Sequence, residues 1–168
     1  VRLSVLFDSK NHKLNIGLRR KNSQQIIPIE HCLVLEQPLN DLLPKVAALF
    51  KQWTTPQQLG HIELVAADNG IAMLLRHIKN IGETDRTLLL RFAEQHKLML
   101  FVQEHDNIEH WQGEQPYYRL GDDITLQFDI RDFIQINAQL NRQMIATVLD
   151  WLELNQQDHV LDLFCGMG

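Results

Sequence analysis

A chain of 168 residues is long enough for one ordinary domain with a core, or one domain and part of a second. At 45% hydrophobic and 22% charged residues it reads as globular and not disordered. A formal net charge of −5 excludes a chain that is an RNA-binding surface throughout, because phosphate contacts need Lys and Arg, so any such contact must be local.

No apolar run approaches the length of a membrane-spanning helix, and the first residues lack the layout of a signal peptide. Cys32 and Cys165 are far apart and make no disulfide framework, so a reduced, cytoplasmic setting is expected, with no membrane and no protein partner implied.

Along the chain, Leu3, Val5 and Phe7 alternate with polar residues, predicting a half-buried strand over 2–8. A turn at 9–12 leads to a second alternation at Leu14, Ile16 and Leu18. Lys21-Asn22-Ser23 turns the chain again into a strand over 25–29, where Pro28 suggests an edge. This is an antiparallel meander. The basic run Arg19-Arg20-Lys21 fits a solvated hairpin end or a local RNA contact.

Cys32 follows directly. From the residues alone, a single Cys beside a His is a buried thiol at least as readily as a metal ligand, and one thiolate cannot hold a four-iron cluster. A helix is predicted from Pro38, capped by Asn40 or Asp41, with Leu42, Val46, Leu49 and Phe50 on one side. His61–Ala67 and Ile71–His77 read as a hairpin around Asp68-Asn69-Gly70. Arg76 and His77 close that hairpin as polar groups at a sheet edge or as an RNA contact. A second helix opens at Gly82, with Thr84 as a cap and acids in its first turn. Lys97–Val102 is the next strand. A hairpin around Gly113 follows, and then strands at Tyr117-Tyr118 and Ile124–Phe128, with Asp122-Asp123 as a solvated turn between them. Strands in hairpins with two intervening helices predict an α+β domain over 1–130, an antiparallel or mixed sheet with helices on one face.

Residues 131–168 differ. Arg131–Asn137 interleaves apolar and polar residues. A helix then carries Leu140, Met144, Val148, Trp151 and Leu152 as one stripe, core by default. Val160, Leu161 and Leu163 predict a strand buried on both faces, interrupted by Asp162 and followed by a turn at Gly166 and Gly168. On spacing alone that turn fits a cofactor loop or an ordinary strand-to-helix turn, since the third glycine of a dinucleotide fingerprint is missing. The chain reads as a fragment that stops inside this loop, the first strand of a Rossmann-like domain.

Asp132-Phe-Ile-Gln-Ile-Asn137, a helix, and Val160-Leu-Asp-Leu-Phe-Cys-Gly-Met-Gly168 together resemble the S-adenosylmethionine-dependent RNA uracil-C5 methyltransferases. Within them the match is closest to the iron–sulfur-containing enzymes that make 5-methyluridine in bacterial 23S ribosomal RNA. Gly60-His-Ile-Glu-Leu-Val65, Leu74-Leu-Arg-His77 and Glu30-His-Cys-Leu-Val34 extend the resemblance through the chain. The resemblance implies that 131–168 begins the methyltransferase domain and that a β-barrel module precedes this chain in the parent. It also implies that Phe164 packs against S-adenosylmethionine, that Gln135 contacts it, and that Asp162 and Gly166 shape its loop. Cys32 falls at the fourth ligand of a [4Fe-4S] cluster, and Phe133 is a ring that either stacks on a splayed base or packs in the core. The nucleophilic cysteine and the general base belong to later motifs. Cys165 is therefore not catalytic, and the chain alone is expected to be inactive.

Overall fold

The computed structural model describes residues 1–120, 124–135 and 137–163. The meander is present as β1 (Arg2–Asp8), β2 (Lys13–Arg19) and β3 (Ile26–Pro28), with β3 at the sheet edge as Pro28 requires. Helix α1 (Gln37–Phe50) and a 3-10 turn (Pro56–Gln58) lead to the hairpin β4 (Leu59–Ala67) and β5 (Gly70–His77). Helix α2 (Glu83–Gln95) then crosses to β6 (Met99–Glu104), which lies parallel to β5, and β7 (Asn107–Gln112) turns back antiparallel. The seven strands form one mixed sheet in the order β3-β2-β1-β4-β5-β6-β7, and β8 (Tyr117–Leu120) with β9 (Ile124–Gln127) forms a separate hairpin. The expected α+β architecture is present.

The two faces of the sheet are covered differently. Leu3, Val5, Ile62, Leu64, Met73, Leu75, Leu100 and Val102 point to the side that buries α1 and α2 in the main core. Their strand neighbours Ala72, Leu74, Met99 and Phe101 point the other way and pack with Ile130 in a smaller cluster. That alternation is the period of two that makes each strand present opposite faces to opposite layers.

Four local expectations are corrected. Asn40 and Asp41 do not cap α1, which starts after Glu36 without a side-chain cap; Asn40 lies inside the helix and is buried. Thr84 does not cap α2 either, since Gly82 takes that position. The β6–β7 hairpin turns at His105 and Asp106, with His105 at φ 55°, and not at Gly113. Gly113 serves close approach: a Cβ there would stand 2.9 Å from Met99 Cα, at φ +86°. Finally, Leu140, Met144, Val148, Trp151 and Leu152 of α3 (Ala138–Leu152) are exposed, as are Val160, Leu161 and Leu163, which are not in a strand. Amphipathic and β-branched patterning gives the tendency to bury, but among the described residues nothing lies against these faces to bury them. Asn137 does cap α3, accepting from the Leu140 N–H at 2.9 Å.

Candidate functional site

A cleft of about 300 Å³ opens between β4, the first residues of the chain, Leu39 near the start of α1, and the segment that leaves β9. Glu63, Val65 and Arg2 line the sheet side, and Tyr118, Phe133 and Gln135 line the facing wall. That volume is at the lower end of small-ligand sites.

Local bonds build the facing wall. Arg131 forks onto Asp129, Nε donating to Oδ1 at 2.8 Å and Nη2 to Oδ2 at 3.0 Å. The Asp129 N–H donates to Asp132 Oδ2 at 2.8 Å, and the Asp132 N–H returns to the Asp129 carbonyl at 2.9 Å. This closed turn directs 133–135 along the cleft. The same fork holds the Asp129 carboxyl below its ordinary value. The Tyr118 hydroxyl donates to the Ala66 carbonyl at 2.6 Å and pins the β8–β9 hairpin to β4. Burial, then the nearby Glu36 and Asp68 carboxylates, pushes that phenol up to about 12. On the sheet side, His61 Nε2 meets Glu63 Oε1 at 3.0 Å and Arg2 Nη2 lies 3.1 Å from His61 Nδ1. The hydrogen bond from His61, then the charges of His61 and Arg2, holds Glu63 below the usual carboxylate value against a burial effect in the opposite direction.

The expected site residues divide between places. Phe133 and Gln135 share the cleft, and both are exposed to solvent. Asp162 is exposed and does not line the cleft. Phe164, Cys165 and Gly166, like Asp122 and Asp123, lie outside the described residues.

Cys32 is half-buried and free, before α1. Asn40 holds its backbone from both sides: the Cys32 N–H donates to Oδ1 at 2.8 Å, while Nδ2 donates to the carbonyls of Cys32 at 3.1 Å and Leu35 at 3.0 Å. Among the described residues no group of three or more His, Cys, Asp or Glu side chains stands ready to hold a metal. One cysteine is a quarter of what a four-iron cluster needs, so the residues present do not by themselves fit that group. Sequence reading missed Asn40, Glu63 and Tyr118. Asn40 alone carried a signal, being the polar residue inside the apolar run Leu39–Leu43.

No protein-family model matches the chain. Curated relatives do. The 23S rRNA (uracil(1939)-C(5))-methyltransferase of Pasteurella multocida is 61% identical over 168 residues, that of Haemophilus parainfluenzae 60%, and that of Photobacterium profundum 46%. The matches cover 99–100% of this chain but only 36–38% of those proteins. Among solved structures, a Pyrococcus abyssi tRNA (uracil-54, C5)-methyltransferase in complex with S-adenosyl-L-homocysteine matches at TM-score 0.62 and 15% identity, over 89% of this chain and 40% of that one, which shows a shared fold. Along its whole length the chain is thus a homologue of a segment of the 23S rRNA (uracil-C5)-methyltransferases.

Proposed function

We propose that this chain is the central α+β domain, residues 1–130, and the entry to the catalytic domain, residues 131–168, of an S-adenosylmethionine-dependent enzyme that forms 5-methyluridine in 23S ribosomal RNA. The observation that carries the reading is 46–61% identity over at least 99% of the chain to proteins of that name. The shared cleft of Phe133 and Gln135 supports it from the geometry.

Uracil C5 is too weak a nucleophile to take a methyl group unaided. In this reading addition of a cysteine thiolate to C6 would make C5 a nucleophilic enolate carbon, and after methylation loss of the C5 proton to a general base would expel the thiolate. S-adenosylmethionine, when bound, supplies the electrophilic methyl. Neither Cys32 nor Cys165 is the nucleophile; the thiolate and the base come from other segments of the enzyme. The residues here bind and orient. The Gln135 amide, able to donate and accept, contacts the cofactor or a uracil edge. The Phe133 ring, held at the cleft by the Asp129–Arg131 turn, stacks on a base taken out of its helix. Phe164 packs against the cofactor, and Asp162 and Gly166 shape its loop. Cys32 is one cluster ligand, the other three coming from outside this chain.

The test uses the full-length protein, purified without oxygen, with labelled S-adenosylmethionine and unmodified 23S RNA. Label in one uracil is expected, with iron and sulfide present in the wild type and lost in Cys32→Ala. Absence of label from every RNA overturns the enzymatic reading. Label in transfer RNA alone overturns the ribosomal substrate, and label without iron overturns the role of Cys32.

A further inference from the structure

The β4–β5 pairing is regular except at one place. Leu59 pairs with His77 and Ile62 with Leu75, so Gly60 and His61 together face the single residue Arg76. Two residues against one is a β-bulge, a device that re-aims a side chain and recurs beside functional sites. The extra residue belongs to β4, while β5 keeps its alternation, with Leu75 and His77 buried and Arg76 exposed opposite the bulge. A Cβ at position 60 would stand 3.2 Å from Arg76 Cγ, 3.2 Å from the Arg76 carbonyl oxygen and 3.3 Å from Cδ, so both the arginine stem and its backbone use the space that glycine leaves.

Arg76 lies on the cleft side of the sheet. It shares the face of Ala72 and Leu74, and Leu74 pairs with Glu63, which lines the cleft. Two residues along a strand is roughly 7 Å. The guanidinium is exposed, and among the described residues it makes no ion pair or hydrogen bond. The local acid, Glu63, is already engaged by His61 and Arg2. A seated, unpaired arginine beside a cleft is suited to an anion.

We propose that Arg76, seated over Gly60 by the β4 bulge, contacts a backbone phosphate of the RNA strand that enters the Phe133–Gln135 cleft. The inference rests on the RNA-methyltransferase reading above. A phosphate contact positions the strand without reading its sequence, so the residue sets affinity and not the choice of base.

The experiment measures RNA binding and methyl transfer by the full-length protein, wild type and variants, between 50 and 200 mM salt. Arg76→Gln is expected to weaken RNA binding about 10-fold or more, as loss of one charge-assisted contact does. It should raise KM with kcat at saturating RNA unchanged, and lower the slope of log affinity against log salt by about 0.7. Arg76→Lys should restore the slope but not the full affinity. Gly60→Ala should weaken binding in the same direction by displacing the stem. Arg91→Gln, the same charge change on α2, is the control for bulk charge, and thermal melting checks that each variant is folded. A folded Arg76→Gln with wild-type affinity and slope, or one whose loss Arg91→Gln reproduces, overturns the inference while wild-type methylation still stands. Wild-type protein that neither binds nor methylates RNA overturns the underlying reading as well.

Discussion

Replacing Asn40 by Ala tests whether the geometry around Cys32 is set by one buried amide. The side chain is 5% exposed and makes three hydrogen bonds to backbone groups of Cys32 and Leu35. A net worth of about 1 kcal/mol each gives an upper figure of ~3 kcal/mol. The Cys32 carbonyl keeps a second donor, the Leu35 N–H at 3.2 Å, which reduces the loss. A destabilisation of about 2–3 kcal/mol follows, or a fall in melting temperature of roughly 4–12 °C at this chain length. Asn40→Asp is the sharper variant. It keeps the acceptor for the Cys32 N–H but turns an acceptor toward two carbonyls where a donor stood, so at pH 7 it should cost more than Ala. Urea and thermal unfolding followed by circular dichroism give the stabilities, and mass spectrometry of alkylated Cys32 gives the exposure of the thiol. Alkylation should accelerate in both variants. Asn40→Ala within about 0.5 kcal/mol of wild type, with Cys32 alkylated no faster, would refute the reasoning.

Asp85, 1% exposed at the start of α2, accepts from the Thr54 N–H at 2.9 Å, Thr54 Oγ1 at 2.7 Å and Thr55 Oγ1 at 3.3 Å; Asp85→Ala should cost about 2–4 kcal/mol in urea unfolding. Glu63 titrates below its ordinary value when folded, so its contribution is complete above the ordinary range near 4.5 and is lost as pH falls through the lowered value. Glu63→Gln should therefore flatten the acid limb of a stability–pH profile, and an unchanged limb would exclude the His61–Glu63 bond as a contributor. Tyr118 runs the other way. Its folded value near 12 lies above the unfolded value of 10, so its contribution is complete below pH 10 and lost between 10 and about 12. Ultraviolet titration should show a phenol ionising near 12 that disappears in Tyr118→Phe.

Much of the fold was legible because its elements obey local rules. Leu3, Val5 and Phe7 alternate, Asp68-Asn69-Gly70 supplies a tight hairpin turn, and Leu42, Val46, Leu49 and Phe50 keep helical spacing against the sheet. The errors at Asn40 and Gly113 have one origin. Each residue has a strong local preference, for a cap or a turn, and a partner elsewhere in the chain outweighs it. Asn40 is worth more holding the Cys32 loop than capping α1, and Gly113 is needed where the chain passes Met99. At α2 the cap passes to Gly82, while Asp85, read as a first-turn acid, turns inward to the connector at Thr54 and Thr55. Patterns report what a segment can do alone, and these positions are decided by what it meets.

The same distinction governs the site. Gln135 was singled out by the family resemblance and Phe133 as an aromatic in the same segment; their facing wall on β4 was not legible, because nothing local ties residue 63 to residue 133. The stripe of α3 and the run Val160–Leu163 show the converse, since their patterning states a demand for burial that the described residues do not meet. Arg76 shows a third case. Counted along β5 it is a polar residue at a strand end, the ordinary reading of such a position. Only the register of β4, with two residues standing where one is expected, shows that the sheet departs from regularity just where this arginine lies. A bulge costs ladder hydrogen bonds, and a glycine in a strand costs conformational entropy and a packed side chain. A solvated arginine at a strand end requires neither concession. Both are accounted for if the guanidinium must be held at one place on the cleft side of the sheet, which is why the salt slope of Arg76→Gln discriminates where its effect on stability would not.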